Sequence, residues 1–317
     1  MARRKAPARR RARPLRLVFW LNLLVAFALG TWYLVQPAPR QAEVRQLVGA
    51  ALERDKRVGP LDVARDIWEL YYGDQFVAAA GLRADGGAAL FAGGARMADG
   101  AAERVLVNRG YVVGYSEARR SPLWAAYRVG DLARIPEPPP RPERFEVDRR
   151  TVARVRPEDY AGSGYDRGHL APNYAIATRF GAAGQEETFL MSNIVPQKHA
   201  LNAGPWKELE LRAATSYPAR FREIWVMAGP VLGASPQTLR GGVPVPEACW
   251  MVLLDEHEGR LRAMAFVFPS ETPADAAPSA FLTSIDRIEV RTGLDLFPEL
   301  PDAAEAALEA RIAPRVW

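Results

Sequence analysis

Three short pieces of this chain carry residue types that could do chemistry together. They are Tyr165-Asp166-Arg167-Gly168-His169-Leu170-Ala171-Pro172, Ser192-Asn193-Ile194-Val195-Pro196-Gln197, and Leu201-Asn202 running through Trp206 to Leu209-Glu210. His169 follows a glycine, which would let the chain turn sharply and expose the imidazole at a strand end. A neutral imidazole is a natural base for taking a proton from water near neutral pH. Asn202 opens a helical pattern and Glu210 follows two turns later. At 100° per residue they end roughly 80° apart, on one broad face. One amide oxygen and one carboxylate form a sparse all-oxygen donor set, suited to a Mg²⁺ ion that keeps most of its waters rather than to zinc. A general base beside a hydrated divalent cation is an arrangement for cleaving phosphodiesters.

Taken singly, each piece has a blander explanation. A histidine at a strand end is commonly structural, an asparagine near a proline usually caps a helix or turns the chain, and a glutamate on an amphipathic helix is normally solvated. Their order and spacing carry the signal.

The elements that must position these residues read as a mixture. Strand patterns cover Val105 to Tyr115, Leu123 to Val129, Arg144 to Val147, Thr188 to Ile194, Glu223 to Ala228, Cys249 to Leu254 and Leu261 to Phe268. Asp255-Glu256-His257-Glu258-Gly259 reads as the turn of a hairpin between the last two. Helical patterns cover Leu201 to Ser216, Ser279 to Thr292 and Asp302 to Ile312. Strands interleaved irregularly with helices predict an α+β fold rather than a repeating βαβ array.

The three pieces resemble the DNA/RNA non-specific endonuclease family, which includes endonuclease G and shares a ββα-metal (His-Me finger) core. The resemblance rests on Tyr160-Ala161-Gly162-Ser163-Gly164-Tyr165-Asp166-Arg167-Gly168-His169-Leu170-Ala171-Pro172, on Phe189-Leu190-Met191-Ser192-Asn193-Ile194-Val195-Pro196-Gln197, and on Leu201-Asn202 with Trp206-Lys207-Glu208-Leu209-Glu210. It covers about residues 104–310 and implies a ββα-metal core on a mixed or antiparallel central sheet flanked by helices. It also implies site roles. His169 would be the general base, Asn202 the direct protein ligand to Mg²⁺ (with Mn²⁺ able to substitute), and Glu210 a carboxylate holding the ion through water. Asp166 would shape the site, Arg167 would contact phosphate, and Asn193 would orient the loop near His169. An upstream arginine helps stabilise the phosphorane in relatives; Arg144 is the candidate, with Arg141 nearby. One departure is visible, since relatives carry an arginine one turn after the helix glutamate and this chain has Ala214 there. The implied activity is hydrolysis of DNA and RNA to 5′-phosphate ends. Ala214 keeps a second expectation open, a weakened domain retained as a nucleic-acid-binding or DNA-uptake module. A homodimer and an inhibitor protein are further partners the resemblance allows.

Composition bounds these readings. The 317 residues, 49% hydrophobic and 25% charged, suffice for one large or two small domains and exclude wholesale disorder. A single cysteine, Cys249, excludes an internal disulfide and any multi-cysteine metal site. It reads as a small core residue, while His199 and His257 read as a solvated loop residue and a turn residue. The net charge of +5 is unevenly spread. Residues 1–40 hold nine cations and no acid, leaving 33 cations against 37 anions, a balance of −4. Overall basicity is therefore no argument for nucleic-acid binding, and a local groove is expected, lined from Arg141, Arg144, Arg149, Arg150, Arg154, Arg156 and Arg167.

Leu17 to Val35 is almost wholly apolar, and at 1.5 Å per residue would extend ~28 Å, near one hydrocarbon thickness. With the cations before it, the segment is expected to be a transmembrane helix at 17–35 contacting membrane lipid, behind a basic cytoplasmic tail at 1–16. A cleaved signal peptide, a mitochondrial presequence and a buried core helix are the competing readings. The remainder is expected as a stalk or linker at 36–103 and a nuclease domain at 104–310, facing the extracytoplasmic side or, in a eukaryote, the mitochondrial intermembrane space.

Overall fold

The computed structural model describes residues 13–52, 58–79, 89–101 and 103–317. It divides into two compact units, Met1–Gly49 and Ala50–Trp317. In chain order the helices are α1 (Arg13–Leu34), α2 (Ala38–Leu52), α3 (Pro60–Tyr72), α4 (Asn173–Thr188), α5 (His199–Leu201), α6 (Lys207–Ala214), α7 (Ser216–Phe221), α8 (Ile285–Thr292) and α9 (Asp302–Glu309). The strands are β1 (Val77–Ala78), β2 (Ala95–Met97), β3 (Arg104–Asn108), β4 (Tyr111–Ser116), β5 (Ser121–Gly130), β6 (Asp166–His169), β7 (Ile194–Gln197), β8 (Glu223–Val231), β9 (Ala248–His257), β10 (Arg260–Pro269), β11 (Leu282–Thr283) and β12 (Leu294–Leu296).

In the first unit, α1 occupies the segment expected to span a membrane. Its described apolar side chains, among them Phe19, Trp20, Leu24 and Phe27, are exposed. Among the described residues, however, no helix is long and apolar enough to cross a membrane. The expected span is thereby corrected to an exposed apolar helix, and the single-pass topology drawn from it loses its support. The basic tail lies largely outside the described residues.

The second unit is built on an antiparallel sheet in the order β1-β10-β9-β8-β5-β4-β3, with β11 against β10. Its central strands bury both faces. Ala125, Tyr127, Ile224, Val226, Met251 and Leu253 enter one core, whereas Trp124, Ala126, Trp225, Met227, Trp250 and Val252 enter the other. Burial on both faces replaces the apolar–polar alternation of a half-exposed sheet with near-continuous apolar runs. The first core lies under α4, α6 and α7, the elements that carry the site; Ala175, Leu209, Ala213 and Tyr217 close it. The second lies under α8 and α9 through Ile288 and Leu308.

Several local expectations change. Val105 to Tyr115 is two strands, β3 and β4, joined at Arg109-Gly110 with Gly110 at φ 84°. Arg144 to Val147 contributes only a bridge between Glu146 and Leu190. Thr188 to Ile194, expected as a strand, is the end of α4 and a 3₁₀ turn before β7. The helix over Ser279 to Thr292 is reduced to α8, because Ser284 caps its start by accepting from the Arg287 backbone N–H. Residues 89–101, read as loose linker, pack into the domain: Phe91 and Ala95 are buried, and β2 pairs with β12. Single short strands of this kind leave no periodic signal, since their partner lies near the other end of the chain.

Candidate active site

β6 and β7 form a separate two-stranded antiparallel ribbon, pairing Asp166 with Gln197 and His169 with Ile194. The helical segment from His199 to Ala214 follows directly, so the three sequence pieces fold into one ββα unit. Gly168 is not the sharp turn expected before His169. It is an ordinary strand residue opposite Val195, and a Cβ there would collide with the Gln197 side chain, so the glycine permits close packing of the ribbon.

Past His169 the chain is fastened by Asn193, which is fully buried. Its Nδ2 donates to Ala171 O (2.9 Å) and Thr188 O (3.0 Å), and its Oδ1 accepts from the Ala171 backbone N–H at 2.9 Å. A side chain that satisfies both ends of its amide in this way locks the loop after the histidine.

His169 itself sits between Phe145 and Phe189, with ring centroids at 5.4 and 5.1 Å. Its Nε2 has no hydrogen-bond partner. Burial, reinforced by the nearby Arg141 charge, pulls its pKa down to about 3, so the imidazole is neutral at physiological pH.

The helical segment is irregular where it matters. Asn202–Trp206 winds as a π-helical turn containing Gly204 and Pro205, and regular α-helix begins at Lys207. Trp206 is buried and donates its Nε1–H to Glu210 Oε1 at 3.0 Å. Asn202 donates from Nδ2 to Asp166 Oδ2 at 2.9 Å, which leaves its amide oxygen as the available ligand atom. The same Asp166 oxygen lies 2.8 Å from His199 Nδ1, so the exposed His199 is tied to the ribbon rather than merely solvated. Burial pushes the Glu210 carboxyl up to about 8, although the Trp206 hydrogen bond, Lys207 and Arg141 oppose the shift.

A cleft of about 400 Å³ brings these groups together. It is lined by Arg141, Arg167, His169, Asn202, Lys207 and Glu210, with Asn173 and Tyr174 at its wall. Asp166 reaches it through Asn202. Arg144, the expected phosphate ligand, is exposed and does not line the cleft, whereas Arg141 does, its guanidinium 5.1 Å over the Phe189 ring. Arg167 is held by a bond to Pro157 O (2.8 Å) and lies over Phe145 and Tyr160. Arg150 is spent on Asp148 and Asn108, outside the cleft. Ala214 is fully buried in the first core, and its carbonyl accepts from Arg179. Ala214 itself does not line the cleft.

Lys207, Asn173 and Tyr174 escape the sequence reading. For Lys207 the signal is its place on the Asn202–Glu210 segment; for the other two it is the helix start directly after Pro172. Cys249 is buried as expected, with its thiol pushed up to about 12 by desolvation.

The residues fit a hard divalent cation. A half-buried carboxylate whose proton affinity is raised by desolvation, beside an amide oxygen, is a donor pair that gains from a positive charge between them.

A family model described as DNA/RNA non-specific endonuclease matches residues 94–303. A nuclease of Nostoc sp. is 29% identical over 224 residues, covering 66% of this chain and 78% of that protein. Nuclease EXOG, mitochondrial, of Homo sapiens is 30% identical over 210 residues, covering 60% of this chain but 56% of its own length. A nuclease of Serratia marcescens is 32% identical over 167 residues, with 50% and 61% covered. In three dimensions the chain is similar to EndoG in a crystal structure of the EndoG/EndoGI complex, at a TM-score of 0.55 and 23% identity, covering 63% of this chain and 88% of that one.

Proposed function

The chain belongs to the DNA/RNA non-specific endonuclease family, and on that premise we propose that its cleft hydrolyses phosphodiester bonds of DNA and RNA with Mg²⁺, leaving 5′-phosphate and 3′-hydroxyl ends. The observation that carries this reading is the meeting of His169, Asn202 and Glu210 in one cleft, where the buried imidazole Nε2 has no hydrogen-bond partner in the protein.

Asn202 and Glu210 would hold the cation, Asn202 through its amide oxygen and Glu210 through water. Bound there, Mg²⁺ supplies positive charge to the scissile phosphate and to the leaving oxygen. His169, neutral and fixed between two phenyl rings, accepts a proton from the attacking water. Arg141 and Arg167 offer guanidinium donors to the phosphate as charge builds on it, and Lys207 adds a point charge at the rim. Every one of these groups addresses phosphate or water. Contacts of that kind hold a strand without reading its bases, which accounts for a lack of sequence preference. The same open cleft would admit an inhibitor protein.

Plasmid DNA and an RNA transcript incubated with the purified chain test the reading. Degradation of both with Mg²⁺, abolished by EDTA, is the expected result. Retention of the nucleic acid without cleavage at any Mg²⁺ or Mn²⁺ concentration would overturn it in favour of a binding module.

A further inference from the structure

On the opposite face of the sheet from the cleft, α8 and α9 bring three carboxylates together. One oxygen each from Asp286, Glu289 and Glu309 lies within 4.8 Å of the others. Such clusters on a surface are usually just solvated, but Glu309 is not at the surface. It is 7% exposed, and its Oε1 is buried with no hydrogen-bond partner. A buried, unpartnered carboxylate oxygen is costly unless a proton or a cation satisfies it. Its two neighbours add acid rather than a base, and Asp295 and Glu305 deepen the negative field. Of these outer acids, Asp295 is drawn off by Arg96 at 2.9 Å.

We propose that Asp286, Glu289 and Glu309 form a divalent-cation site, distinct from the catalytic one, that takes Ca²⁺ and clamps α8 to α9. Coordination chemistry favours Ca²⁺, which takes roughly 6–8 oxygens at about 2.3–2.6 Å in flexible geometry and so accepts mono- or bidentate carboxylates from two helices, whereas Mg²⁺ demands a near-ideal octahedron at about 2.0–2.1 Å. Glu289 is already oriented, because its Oε1 accepts from the Leu296 backbone N–H at 2.7 Å. The two helices cover the second core through Ile288 and Leu308, so a cation between them would stabilise that layer without touching the chemistry. Burial raises the Glu309 carboxyl to about 8, consistent with an oxygen that awaits a positive partner.

The test uses the whole chain carrying Asn202→Ala, which disables the catalytic cation site, and compares it with the same chain also carrying Glu309→Gln. Calorimetric titration with CaCl₂ and melting temperature with and without Ca²⁺ are the readouts. One Ca²⁺ bound per chain and a rise in melting temperature of several degrees are expected for Asn202→Ala, with both lost in the Glu309→Gln chain. In EGTA that second chain should melt close to its parent, because burial already favours the neutral Glu309 carboxyl and the amide keeps its shape. No heat and no shift with millimolar Ca²⁺ would overturn the proposal, as would a response that Glu309→Gln leaves intact. A larger shift with Mg²⁺ than with Ca²⁺ would overturn the assignment of the ion.

Discussion

Asn202 donates its amide N–H to Asp166 across the ββα unit at 2.9 Å, joining the first residue of the Asp166-Arg167-Gly168-His169 stretch to the helix that follows it. Asp166 thus fixes which end of the Asn202 amide faces the cleft. Replacing it with alanine frees the amide to rotate. The expected outcome for Asp166→Ala is a rise of ~10–100-fold in the Mg²⁺ concentration for half-maximal activity, with a much smaller loss at saturating Mg²⁺. A Mg²⁺ titration of plasmid cleavage reads this directly, and an unchanged titration would show that Asp166 does not orient the ligand.

His169→Ala should lose ~10²–10⁴-fold in kcat, the range for removing a general base, while DNA binding persists. Circular dichroism would confirm that the chain still folds, since Asn193 fastens the adjoining loop without help from the imidazole.

The His169 imidazole and the Glu210 carboxyl are shifted in opposite directions. His169 is lowered to about 3 by burial and by Arg141, so it stays an unprotonated base far below pH 6.5. Glu210 is raised to about 8 by burial, so in the metal-free protein a falling pH protonates it and weakens the cation site. Activity should therefore fall as pH drops below about 8, and the midpoint should move down by about one pH unit per tenfold rise in Mg²⁺, as the cation displaces the proton. An acid limb fixed near 6.5 at every Mg²⁺ concentration would instead report His169 titrating at its ordinary value.

Arg141 and Arg144 separate cleanly. Arg141 lines the cleft and Arg144 does not. Arg141→Ala should cut kcat/KM by about 10²-fold, in line with loss of one donor to a developing oxyanion, and reduce the salt slope of binding by about one. Arg144→Ala should change either quantity less than threefold. Kinetics at two ionic strengths would decide, and reversed effects would return the role to Arg144.

Away from the site, Asp66 and Arg220 form a buried pair, with bonds of 2.6 and 2.7 Å and each residue 5% exposed. Asp66→Ala leaves a guanidinium buried without its counter-charge, at a cost of about 3–5 kcal/mol in urea denaturation. The double change Asp66→Leu with Arg220→Met should recover much of that loss. Equal destabilisation by both would place the effect in packing rather than charge.

The chemistry was legible in the sequence because its carriers lie close together in the chain. His169, Asn193, Asn202 and Glu210 fall within one ββα unit, where spacing translates almost directly into position. What was hidden depends on distant contacts. Arg141 and Arg144 are three residues apart in an irregular segment, and it is Arg141 that lies over Phe189, a residue distant in sequence, and lines the cleft. The resemblance marks Ala214 as a departure from a family arginine, but only the packing of α6 on the sheet shows that its side chain enters the core. α4 went unread because Gly181, at φ 68°, interrupts it and its many alanines carry no apolar stripe. The apolar run of Leu17 to Val35 predicts a membrane span, whereas among the described residues no helix is long and apolar enough to cross a membrane.

The π-turn has a backstop. A Cβ on Gly204 would sit 2.5 Å from the carbonyl oxygen of Ala274, so the loop before β11 presses against the coil that carries Asn202. Wear on that distant brace, through a bulkier residue at Gly204 or a shortened loop, would show up as a loosened grip on the catalytic ion while every group in the cleft remained chemically intact.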